Sequence, residues 1–554
     1  MDRGIWAVGK RDSRQAGAHG CSQSQISNPK SQIRVVVLLL AGLMLLPGCA
    51  PHPHMLPYNE QKPIDRSLMK YPTGSVVQPY VRGLSAPTAI AWDENRSLLI
   101  AQGGNYDEEP SIIGFKPDGS FFQIYPKERR FPLNLARNDF KLYGPIGGML
   151  VYKGRIYVSH RDEYGRGRIT AIDPGGGHTT IAANLPAQGD YSITDMVIEP
   201  NLNPPRLFFG VGSTTNSGVV GLDNWEWLRD LSKVHDMSWA RVHLRGYRFD
   251  SPNPFSGLFG PADIAVTAPF QPFNVSNETE VDGSELPNAA IYSCSPNGGD
   301  LRVEAHGIRY PRGLAFNGYS IFFTNEGMEL RGTRPVRNDP DALLRLIRGG
   351  TWYGWPDYTA DLQPVSDDRF QPAPQLDISR TGYKRVLFVL DREATAADPK
   401  NQNVSFQDPI RDTLWKGSFS PLSGAAKLDF IPDSWPERSL RRRAVVALAG
   451  DRAPFATSGR PIVGPIGYKV VSVDLDSKRV DDFVRNTAGG PASRIDQKNP
   501  NLLERPIDVK VGPDGTLFIV DAGRMQVRDG RESYEPGTGK IFRVVPAPGP
   551  VMQE

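Results

Sequence analysis

Six times along this chain an alternating apolar strand, a polar turn and a second strand recur, and no other feature restricts the fold as much. The copies are GLSAPTAIAWDENRSLLIAQGG from Gly83, YGPIGGMLVYKGRIYVSHRD from Tyr143 and DYSITDMVIEPNLNPPRLFFGVGSTTN from Asp190. They continue with GIRYPRGLAFNGYSIFFTNEG from Gly307, GAAKLDFIPDSWPERSLRRRAVVALAGDR from Gly424 and RPIDVKVGPDGTLFIVDAGRM from Arg505. Several are followed by a further strand, as in GRITAIDPGG, GYKVVSVDLD and GKIFRVVP. A single unit of this kind cannot bury both of its faces, so copies must stack on one another. Six copies therefore predict an all-β, six-bladed β-propeller, closed by pairing GSVVQPYVRG with the last blade. At roughly 40 to 45 residues per blade, the blades use only about half to three-fifths of the mature chain. The remainder must be insertions, the largest at 217–289, with a predicted helix, and at 359–423. Structureless stretches of that length in a compact domain are usually rim decorations or lids.

The fourth copy opens the most informative stretch, Ala305 to Tyr358. Alternation on both sides of Asn317-Gly318 predicts a hairpin. Its second strand delivers Asn325, Glu326 and Arg331 to a polar loop, and the chain returns through LLRLIRGG to an aromatic knot, TWYGWP, able to fix where that loop lands. The ordered series GIRYPRGLAF, a strand ending NEG, and GGTWYGWP resembles the glucose/sorbosone dehydrogenase family. The best-known members of that family are six-bladed propellers that bind pyrroloquinoline quinone (PQQ) and Ca²⁺ and oxidise sugars.

The resemblance implies where chemistry would sit. PQQ carries three carboxylates, which guanidinium groups pair with bidentately. Arg309 falls on the family's cofactor-contacting arginine, Arg452 on a basic residue of the fifth blade, and Arg505 just before the last inner strand. Asn325, Glu326 and Gly327 occupy the place where the family supplies carbonyl ligands to Ca²⁺ near the quinone, with Asp339 and Asp341 as acidic supports of that loop. The family's general base, a histidine on the third blade, is replaced by Tyr191, with Asp195 four residues on. A phenol needs about three units of pKa depression to match a histidine, on the order of 4 kcal/mol. In an extended segment the two side chains would stand about 13 Å apart. His160 and His306 lie near other inner-strand motifs as substitutes.

Residues 33–49, IRVVVLLLAGLMLLPGC, are too short to span a bilayer but suit a signal-peptide core. The ending LPGC resembles a bacterial lipobox, which makes Cys49 the expected lipidation site. The expected order is then a lipoprotein signal over 1–49, a tether over 50–76, and the propeller over 77–547. Of the three cysteines, Cys21 is removed with the signal and Cys49 carries lipid, so Cys294 has no intramolecular disulfide partner. The absence of CxxC and CxxCH excludes thiolate zinc sites and covalent haem. No GxGxxG opens a helix after a strand, so nicotinamide chemistry has no support. With 64 basic and 61 acidic residues and no long like-charge block, no nucleic-acid partner is expected.

The resulting expectation is a PQQ- and Ca²⁺-dependent oxidoreductase acting on a sugar or related alcohol or aldehyde. It would face the periplasm, be lipid-anchored to a bacterial membrane, and pass electrons to an acceptor the sequence does not name. The alternatives are a non-catalytic propeller binding glycan or protein at its rim, or a Ca²⁺-dependent lactone hydrolase.

Overall fold

The computed structural model describes residues 52–106, 108–126, 140–256, 263–372, 385–402, 404–528 and 530–547. Cys49 and the expected signal segment lie outside them. The described chain is a six-bladed β-propeller. Its innermost strands are Pro87–Trp92, Tyr143–Tyr152, Ile193–Glu199, Leu314–Phe316, Ala425–Phe430 and Pro506–Val511. Each lies beside the next in this order, and the last returns to the first, closing the ring.

Within a blade the next strand out is buried along its length, as in Arg206–Val211 and Ala444–Leu448, because neighbouring blades cover both of its faces. The core is accordingly a set of layers between blades. One joins Tyr157 and Ile169 of the second blade to Phe209 and Tyr292 of the third. Another joins Phe322 and Leu343 of the fourth to Leu428 and Val446 of the fifth.

Ring closure uses the strand Ser75–Leu84, which pairs antiparallel with Gly539–Pro546 as the outer strand of the sixth blade. Its burial alternates residue by residue, the pattern of a strand with one face on the core. The segment expected as a free tether behaves otherwise over its described part. His54–Met55 pairs with Val81–Arg82, and Met69–Lys70 pairs with Arg485–Asn486, so this segment caps the outer edges of the sixth and fifth blades. Leu56, Ile64 and Met69 are buried there, and this apolar content is what draws the segment onto open strand edges.

Two further expectations change. The helix in the first insertion is a single turn, Trp225–Leu228, and the rest of the insertion includes short hairpins such as Phe249–Pro252 with Ile264–Thr267. The second insertion contains Trp415–Pro421, the outer strand of the fourth blade. That blade therefore closes only after a long excursion. Among the described residues no helix is long and apolar enough to cross a membrane.

Candidate functional site

The loop leaving the strand Ile321–Asn325 meets Asn216 past the third blade's strand and Arg452 past the fifth blade's strand, and two carboxylates hold it there. Asp339 accepts from the backbone N–H of Met328 (2.7 Å) and of Ala360 (2.8 Å), tying the loop to the chain just past the aromatic knot. Asp341 accepts from Gly327 N–H (2.8 Å), Ser423 Oγ and Ala425 N–H, tying it to the fifth blade. Gly327 has to be glycine, because a Cβ there would stand 2.4 Å from the Asp339 carbonyl oxygen. Both carboxylates are the supports expected from the resemblance. The knot packs as anticipated, with Trp352, Trp355 and Tyr358 buried in one cluster.

The loop thereby places Glu329 between the buried guanidinium groups of Arg309 and Arg331 and the partly buried one of Arg452. Its carboxylate pairs with Arg331 Nε at 2.5 Å, with Arg309 Nη2 at 3.6 Å, and closely with Arg452. Burial by itself would raise Glu329, but Arg452, Arg331 and Arg309 outweigh it and hold the carboxyl far below the usual range. Asn216, from the exit of the third blade, locks the arrangement. Its amide donates to the Glu329 and Arg331 carbonyls and accepts from Arg309 Nη2 and Glu329 N–H.

Tyr191 lies inside this cage, 1% exposed. Its hydroxyl accepts from Arg309, and from Arg331 at 3.2 Å and Arg452 at 3.4 Å, while the Arg309 guanidinium lies 4.3 Å above its ring. The arginines lower its pKa as anticipated, yet burial, with Glu329 adding to it, wins, and Tyr191 titrates above an ordinary phenol. Tyr191 is thus a neutral hydrogen-bonding partner of the arginines, not a base. Asp195 belongs to a different group: it stands between Lys510 at 3.7 Å and Lys427 at 3.9 Å on inner strands, and shares none of Tyr191's partners. His160 and His306 are sealed away, bonded to Thr170 and to the Ser405 carbonyl respectively, and burial pushes both down to about 4.

Arg309 is buried and fully engaged, donating to the Asn216 and Glu326 carbonyls, to Asn216 Oδ1 and to Tyr191. Arg452 and Arg505 instead line one chamber of about 820 Å³, together with Arg331. Arg505 bonds the Gly450 and Asp451 carbonyls and lies 5.0 Å over the Tyr468 ring. Trp225, Phe249, Phe455 and Tyr468 supply aromatic walls. This size and mixture suit a small polar ligand.

The chamber partly fits PQQ. Arg505 bonds only carbonyls and the Tyr468 hydroxyl and could hold a carboxylate, whereas Arg309 already has its acceptors within the protein and Arg452 already stands against Glu329, Glu326 and Glu532. The Ca²⁺ set does not fit: the Glu326 carbonyl accepts from Arg309 Nη1, the Glu326 carboxylate pairs with Arg312 at 2.6 Å and approaches Arg452 at 3.8 Å, and Asn325 Oδ1 accepts from Tyr310 N–H. A divalent cation there would face guanidinium charge. Among the described residues no group of three or more His, Cys, Asp or Glu side chains converges as a metal site.

Asp223, from the first insertion, was not legible in the sequence. It lines the chamber, pairs with Arg331 Nη1 at 2.6 Å, and its Oδ1 has no hydrogen-bond partner among the described residues. Burial, opposed by Arg331, pushes it up to about 6. A raised carboxyl favours the protonated folded state, so its contribution to stability is full below about pH 4 and is lost as pH rises through about 6. Asp223→Asn is expected to remove a pH-dependent loss of roughly 2–3 kcal/mol between pH 4 and 7. Urea midpoints of the two proteins at both pH values test this, and parallel pH profiles would refute it.

No protein-family model and no curated protein matches the sequence. Solved structures similar to the chain include a calcium structure of a Trichoderma reesei carbohydrate-active enzyme of family AA12, at 15% identity, 87% of this chain, 98% of that chain and TM-score 0.44. The holo PQQ domain of pyranose dehydrogenase from Coprinopsis cinerea is 14% identical over 87% of this chain and 98% of its own, with TM-score 0.43. A streptogramin B lyase is 10% identical over 84% of this chain and 94% of its own, with TM-score 0.29. Likenesses at this level leave activity to be argued from the site. What fold and site define is a six-bladed propeller with an arginine-floored, aromatic-walled chamber at one end.

Proposed function

We propose that the chain is an oxidoreductase of the glucose/sorbosone dehydrogenase type, acting on a sugar or related alcohol or aldehyde with PQQ held in this chamber. The observation that carries the reading is the convergence of Arg331, Arg452 and Arg505, from three consecutive blades, on one cavity with aromatic walls. PQQ, when bound, would supply the two-electron acceptor. Arg505 would hold one of its carboxylates, and the aromatic walls would limit water. Asp223, rather than Tyr191, would take the substrate's hydroxyl proton, since its pKa of about 6 lies near a working pH. The geometry offers no support for Ca²⁺ at 325–327. A lipid anchor at Cys49 and a periplasmic location remain part of the proposal on the strength of the LPGC segment.

Titration of the purified protein with PQQ, followed by the quinone's absorbance, is expected to saturate. Arg505→Met should weaken binding at least ten-fold, about 1.4 kcal/mol. Absence of saturable binding would remove the redox reading and leave the non-catalytic propeller and the lactone hydrolase.

A further inference from the structure

A second cavity, of about 690 Å³, adjoins the chamber and shares Asp223, Glu226, Phe455 and Gly530 with it. We infer that this cavity binds a carboxylated sugar, with the Arg161 guanidinium receiving the carboxylate. The inference does not depend on the redox reading.

Arg161 ends the strand Arg155–Arg161 of the second blade, lines the cavity and is 8% exposed. Its Nε donates to Ser192 Oγ at 2.9 Å and its Nη2 to the Gly189 carbonyl at 3.4 Å, both neutral acceptors. Among the described residues no carboxylate lies within ion-pair distance of it. Most other charges of the wall are matched: Asp190 and Asp223 share Arg331, Glu226 pairs with Arg531, Asp230 with Arg229, and Arg166 with Asp162. Glu163, at the exposed side of the wall, has no ion pair among the described residues. A buried charge without a counter-ion is costly, and burial, with nearby Arg531 adding to it, pushes the pKa of Arg161 down. Such a group persists where a ligand supplies the missing charge.

The fork is pre-oriented, since the Arg161 guanidinium lies 4.7 Å over the Tyr106 ring. A single unmatched guanidinium suits a planar monoanion better than a phosphate monoester, which carries more charge. Tyr164, Trp227, Gln188 and Glu163 complete the lining with aromatic faces and groups able to bond hydroxyls, which points to a polyhydroxylated ring bearing the carboxylate.

Calorimetric titration of the full chain with glucuronate, glucose and glucose 1-phosphate tests this. Glucuronate should bind at least ten-fold more tightly than glucose and more tightly than glucose 1-phosphate. Arg161→Met should abolish that preference while leaving Tm unchanged or higher, since an unmatched buried charge is gone. Arg161→Lys, which keeps the charge but not the fork, should retain only part of it. Equal affinity of wild type for glucuronate and glucose would overturn the inference, whatever the variants do. So would a preference that survives Arg161→Met, and tighter glucose 1-phosphate binding would overturn the carboxylate assignment.

Discussion

Replacing Glu329 by glutamine is expected to destabilise the folded chain by about 3–5 kcal/mol at pH 7, the usual effect of removing one partner from a buried ion pair. Here the consequence reaches further than one pair, because Arg309, Arg331 and Arg452 all lean on this carboxylate. Arg331 keeps Asp190 and Asp223, and Arg452 keeps Glu326 and Glu532, whereas Arg309 has no second ion-pair partner among the described residues. The pH dependence has a definite sign. The Glu329 carboxyl is held low in the fold, so its stabilisation is present above the ordinary carboxylate pKa and is lost as pH falls below it. The gap between wild type and Glu329→Gln should therefore narrow on going from pH 7 to pH 3. Urea unfolding at both pH values measures it; a gap under 1 kcal/mol at pH 7 would mean that the arginines do not rely on Glu329.

Asp339→Ala is expected to lower stability by about 2–5 kcal/mol, because two buried backbone donors lose their acceptor at 1–3 kcal/mol each. Those donors, Met328 and Ala360, belong to the loop bearing Glu329 and to the segment that anchors it. The loop should then shift, so the variant is expected to lose the chamber as well as stability. Asp339→Asn keeps an oxygen for one of the donors and should cost less. Amide hydrogen exchange separates a local from a global effect: Met328 and Ala360 should exchange faster in Asp339→Ala than strands of the opposite blades do. Unchanged protection at both amides would show that Asp339 does not hold the loop.

Much of the fold was legible because its signals are local. Alternation, the Asn317-Gly318 turn and six recurrences each need only neighbouring residues to be read, and blade stacking follows from burial of both faces. The supports Asp339 and Asp341 were legible through resemblance, since they keep a fixed spacing from the strand whose exit they hold. The edge strands at His54–Met55 and Met69–Lys70 were not, because a short Pro-rich segment carries no periodicity and becomes a strand only when a blade edge offers partners.

The site divides along the same line. The sequence alone determined that arginines occur at equivalent places on successive blades, and that a tyrosine replaces the expected histidine. Only the tertiary structure decided what those groups do. A guanidinium is available to a ligand or already spent according to which carboxylate stands beside it, and here the partners come from distant parts of the chain. Glu329 reaches Arg452, Asp223 reaches Arg331, and Asn216 reaches Arg309 across long stretches of sequence, whereas Arg161 meets no carboxylate among the described residues. Charge pairing and desolvation depend on distances of a few ångströms and on burial, and closure of the propeller ring fixes both.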